Sequence, residues 1–68
     1  MHTTDYAPTP GTELRRRRVA LGAQQKDVAE RMGLTRISVY RIERQDAVPV
    51  LVVRKYLDAL QAIEAGVR

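Results

Sequence analysis

The sequence predicts an all-α domain, a compact bundle of four short helices. Three observations carry that reading. Apolar residues recur at i, i+3, i+4 and i+7 through separate stretches of the chain. Gly22, Gly33 and Pro49 stand between those stretches, where helices stop. No segment alternates apolar and polar residues as a half-buried strand does. The one short apolar run, Val48 to Val53, leads directly into a helical stripe and reads as loop plus first turn.

Residues 1–11, MHTTDYAPTPG, hold two prolines, a glycine and three threonines without periodicity and are expected to form a flexible N-terminal arm. The folded domain is expected over 12–64, with 65–68 frayed. Thr12 or Thr9 is the expected cap of the first helix, and Glu13 suits the positive end of its dipole. Leu14, Arg18 and Leu21 share one face of that helix, and Gly22 stops it. The second helix covers about Gln25 to Met32, with Val28, Ala29 and Met32 inward. Gly33 ends it, and Leu34 is expected to plug the turn. Thr35 caps a third helix, Arg36 to about Arg44, whose inner stripe is Val39, Ile42 and Glu43. After a loop closed by Pro49, the fourth runs from about Val50 to Ile63 and aligns Val53, Tyr56, Leu57, Leu60 and Ile63.

Length and composition bound the function. The 68 residues make one domain, and one so small buries only about 60% of the surface its unfolded chain exposes. There is no cysteine and a single histidine, His2, so neither disulfides, a metal site, a cofactor nor catalysis is expected. No apolar run approaches the roughly 20 residues of a membrane span, and no membrane partner is expected. The net charge of +4 is unevenly placed. Residues 1–13 carry −2 and residues 45–68 are neutral, whereas residues 14–44 hold nine of the twelve Lys and Arg and carry +6. A polyanion-binding face concentrates charge in this way.

Two short helices joined by a tight turn must cross steeply and still touch. Ala29 is small at the crossing, Gly33 accepts a left-handed turn, and Val28, Met32, Val39 and Ile42 meet across it. The stretch Gly22 to Pro49, GAQQKDVAERMGLTRISVYRIERQDAVP, resembles the lambda-repressor-like (Cro/repressor, XRE-type) helix-turn-helix family. The resemblance spans about Leu14 to Leu60. It rests on Gln25 opening the second helix, VAERMGL, the recognition-helix pattern TRISVYRIE, and the loop ending in Pro49. It implies a cytoplasmic, bacterial or phage-encoded regulator that binds double-stranded operator DNA, usually as a homodimer, and is no enzyme. A repressor is the expected form, since occluding polymerase needs only DNA binding. The antitoxin of a toxin–antitoxin pair, which binds a small partner protein as well as DNA, is the second reading. Two departures stand out: Gln45 where glycine commonly follows the recognition helix, and Val50 where Ser or Thr often caps the fourth helix.

Within that reading, Arg36 and Ile37 begin the helix that enters the major groove, Arg36 suited to guanine and Ile37 to a thymine methyl. Tyr40 and Arg41, one turn on, are assigned to base contact as well; for Arg41 a phosphate is the other possibility, for Tyr40 a phosphate or the support of Arg36. Gln25, Gln24, Ser38, Arg44 and Arg17 are assigned to phosphate. Arg18 and Glu43 interrupt apolar stripes, and a buried unpaired charge is costly. Similar proteins pair residues at these positions, so a structural Arg18–Glu43 ion pair is expected. Val50, Leu51 and Val52 add apolar surface suited to a protein interface.

Overall fold

A computed structural model describes residues 9–66. Four helices follow one another: α1 (Gly11–Leu21), α2 (Gln25–Met32), α3 (Arg36–Glu43) and α4 (Val50–Ala65). There is no sheet among the described residues. A lone antiparallel bridge joins Thr9 to Val48. α2 packs against α3 and α4, and α1 against the same two.

Glycine makes both tight turns of the first half. Gly22 and Gly33 have φ of +79° and +72°, a region that costs an L side chain roughly 1–2 kcal/mol. After Gly33, the Leu34 amide donates back to the Ala29 carbonyl at 2.8 Å, so the chain reverses within two residues. Thr35 caps α3 by accepting the Ser38 amide at 3.2 Å. The turn after α3 is built differently. Arg44 closes the helix at φ −104°, and no described residue other than Gly22 and Gly33 has positive φ, so Gln45 needs no glycine in its place. α4 begins at Val50 without any side-chain cap. Pro49 precedes it, and the Val53 amide reaches the Pro49 carbonyl at 2.9 Å.

The core consists of Leu14, Val28, Ala29, Val39, Ile42, Val48, Tyr56, Ala59 and Leu60, with Met32, Val52, Val53, Leu57 and Ile63 packed around it. Burying one such Val or Leu side chain fully contributes about 1.5–3 kcal/mol before entropy is counted.

Several expectations are corrected. Neither Thr9 nor Thr12 caps α1; Pro10 occupies that position and forms no side-chain cap, and the helix starts at Gly11. The expected arm reaches residue 11, but its last residues belong to the fold. The Val48 amide donates to the Thr9 carbonyl and the Gly11 amide to the Gln45 carbonyl, each at 2.8 Å. Residues 1–8 and the final two of the expected frayed end lie outside the described residues. Leu21, at the end of α1, and Leu34, in the turn after α2, lie outside the core cluster and stay partly in solvent, 36% and 41% exposed. Val48 is fully buried in the core, its backbone bridged to Thr9, and Val52 and Val53 are half-buried against that core, which narrows the exposed apolar surface of that run to Val50 and Leu51. α3 ends at Glu43 rather than Arg44, and α4 continues two residues past Ile63.

Candidate nucleic-acid interface

α3 carries two faces with different tasks. Val39, Ile42 and Glu43 are buried against the bundle. Arg36, Ile37, Tyr40 and Arg41 are exposed, Ile37 to 55%. At about 3.6 residues per turn these four span roughly 140° of the helix surface, and Arg44 falls within the same arc. Arg44 lies over the Tyr40 ring, its guanidinium carbon 5.3 Å from the ring centroid. That stacking gives a flexible cation a defined seat. Ser38 is half-buried beside its cap partner Thr35.

The helix is held from behind by one carboxylate. Glu43, 3% exposed, accepts from Arg18 Nε at 2.7 Å on Oε2 and from Arg18 Nη2 at 3.1 Å on Oε1. The Tyr56 hydroxyl donates to Oε2 as well, and Gln25 Nε2 to Oε1 at 3.1 Å. Arg18, Gln25 and Tyr56 sit on α1, α2 and α4, so Glu43 joins all four helices. Arg18 has one further donor in use, Nη1 to the Ala23 carbonyl at 3.0 Å, which secures the α1–α2 turn. Burial works to raise the Glu43 pKa, but the hydrogen bonds from Arg18, Tyr56 and Gln25 outweigh it and hold the carboxyl below its ordinary value. Burial first, then the bond to Glu43, pushes the Tyr56 hydroxyl above the ordinary tyrosine value. The Arg18 and Glu43 charges that break the apolar stripes of α1 and α3 thus meet each other.

Gln25, assigned from sequence to phosphate, opens α2 with its side-chain amide turned to Glu43; Gln24 just before it is exposed, and its backbone N–H donates to Asp27 Oδ2 at 3.0 Å. Arg17 stands apart from the other site residues. Its Nε donates to Glu13 Oε2 at 3.2 Å, and it borders a groove with Leu21, Leu57 and Leu60 on the α4 side of α1. The exposed arginine of α1 that lies beside Gln25 and Tyr40 is instead Arg15, with the ion-paired Arg18 bordering the same concavity. The spacing of Glu13 to Arg16 and Arg17, i+3 and i+4, was a readable sign that these two are engaged on the helix itself. The Tyr56 hydroxyl also had a signal, since a tyrosine inside an apolar stripe needs a polar partner. Nothing local pointed to Gln25.

No helix among the described residues is long and apolar enough to cross a membrane. Two short helices joined by a glycine turn, the second pinned at its back and basic at its front, define a helix-turn-helix protein. A family model described as helix-turn-helix, of the XRE type that includes lambda repressor and Cro, matches residues 14–67, and the chain belongs to that family of DNA-binding transcription regulators. No curated protein and no solved structure matches the chain.

Proposed function

We propose that the chain is a sequence-specific repressor that inserts α3 into the major groove of operator DNA as a homodimer. The observation that carries this reading is the exposed arc of Arg36, Ile37, Tyr40 and Arg41 on a helix whose opposite face is anchored through Glu43. Arg36 suits the paired acceptors of guanine and Ile37 a thymine methyl, with Tyr40 and Arg41 reaching bases further along. Gln24, Ser38 and Arg44 line the flanks for phosphate. Gln25 serves through its backbone amide at the N-terminus of α2, its side chain being turned to Glu43. Val50 and Leu51, the latter 70% exposed, offer apolar surface for a second copy. A two-fold pair would set the recognition helices about 34 Å apart, one turn of duplex.

The test is selection of bound duplex DNA from a random pool, followed by footprinting. A palindrome with half-sites one turn apart is the expected product. Absence of enrichment over random sequence would sink specific regulation. The antitoxin reading uses the same Val50–Leu51 surface. Sedimentation as a dimer at the concentrations that bind DNA supports the homodimer, whereas a monomer would point to a different protein on that surface.

A further inference from the structure

A shallow cleft between α1 and α3 is lined by Thr12, Arg15, Gln25, Tyr40, Glu43 and Arg44. Its two exposed cations come from different helices, Arg15 from α1 and Arg44 from α3. Arg44 is seated over the Tyr40 ring. The one carboxylate in the cleft, Glu43, is buried and already engaged by Arg18, Gln25 and Tyr56, so it presents little unmet charge. Among the other arginines of the α1 run, Arg16 and Arg17 are bonded to Glu13, and Arg18 to Glu43. Arg15 forms no ion pair with any described residue. It also borders the neighbouring concavity, which Gln24 and Lys26 line from the start of α2 and Arg36 from the start of α3.

We infer that this cleft seats one phosphate of the DNA backbone, that Arg15 is the α1 residue responsible, and that Arg17 is not. The inference rests on the proposed DNA-binding function and adds the residue that fixes how α1 sits against the strand. Such a contact carries no base information, because every sequence presents the same phosphate. Its signature is therefore in the salt dependence. Each neutralised phosphate contributes a slope of about −0.9 to log K against log salt on duplex DNA.

The experiment measures binding of the parent chain and of Arg15→Ala, Arg15→Lys, Arg16→Ala and Arg17→Ala to one selected duplex across a salt series. Ethylation interference on the same duplex follows. Arg15→Ala is expected to flatten the slope by about one, with equal weakening on selected and random duplexes. Arg15→Lys is expected to keep the parent slope, as are the Arg16 and Arg17 variants. One phosphate whose ethylation hinders the parent should no longer matter to Arg15→Ala. An unchanged slope and interference pattern in Arg15→Ala, with the parent still binding duplex, overturns this inference alone. Failure of the parent to bind duplex DNA overturns it together with the function on which it rests. Circular dichroism on each variant separates lost contact from lost fold.

Discussion

Gln25 Nε2 donates to Glu43 Oε1 at 3.1 Å, tying the first residue of α2 to the last of α3. The same carboxylate holds Arg18 and Tyr56, so the orientation of α3 depends on a buried polar network as well as on apolar packing.

Glu43→Gln should be severely destabilising. Arg18 and Glu43 side chains are 11% and 2% exposed, and removing one partner of a buried pair costs about 3–5 kcal/mol because the other charge is left uncompensated. For so small a domain that is most of the total stability. Urea midpoints check it. The double variant Arg18→Met with Glu43→Gln should be less destabilised than Glu43→Gln alone, because no orphan charge is left and the amide oxygen still accepts from Tyr56; a double variant as unstable as the sum of Arg18→Met and Glu43→Gln would refute the pairing argument.

Acid should unfold the chain partly through the same group. The folded-state pKa of Glu43 is lowered, so the unfolded chain binds the proton more readily. The stability it contributes is complete above the unfolded value, about 4.3, and is lost as pH falls through the lower folded value. Denaturation midpoints measured between about pH 6 and 3 should therefore drop below roughly 4.3. Glu13, lowered by its bonds to Arg16 and Arg17, adds a weaker, solvent-screened dependence of the same sign. A conditionally folded Glu43→Gln chain, stabilised with osmolyte, should show a shallower acid limb. An identical limb in both chains would assign acid sensitivity to other groups.

Gly11→Ala should destabilise, although alanine is the better helix former. A Cβ built on Gly11 falls 2.3 Å from the Ile42 carbonyl oxygen and 2.6 Å from the Glu43 carbonyl carbon, both backbone atoms that cannot swing away. Overpacking of this kind costs about 1–3 kcal/mol, and each kcal/mol lowers the melting temperature by roughly 4–8 °C at this size. Thermal melts decide it. A midpoint at or above that of the parent would mean that the end of α3 yields freely.

Arg36→Ala should leave the melting temperature unchanged, since Arg36 is exposed, yet weaken binding to a selected duplex by about 1–3 kcal/mol. Discrimination should relax at a single base pair of each half-site. A uniform loss on every sequence would instead make Arg36 a phosphate contact.

The all-α class, the four helices and their stops were legible because each depends on neighbours within a turn or two. Gly22, Gly33, Thr35 and the apolar stripes act locally, and the observed helices begin or end within a residue or two of expectation. Arg18 and Glu43 were legible for a different reason: a charge in an apolar stripe announces that it needs a partner, and the family resemblance implies that these two partner each other. Exposure of Arg36, Ile37, Tyr40 and Arg41 follows from the same periodicity that buries Val39 and Ile42.

What the sequence determined by itself is therefore the set of helices, the face each one turns inward, and the basic front of α3. Only the tertiary structure decided which groups meet across those faces. Gln25 bonds to Glu43, Tyr56 joins the same carboxylate, and Gly11 leaves room for the α3 backbone. Val48 joins the core with its backbone bridged to Thr9, and Arg15 rather than Arg17 lies beside α3. These relationships depend on the angles at which helices cross and on how far each is rotated about its axis. Both are set by interlocking side chains from distant parts of the chain, and no local spacing encodes them.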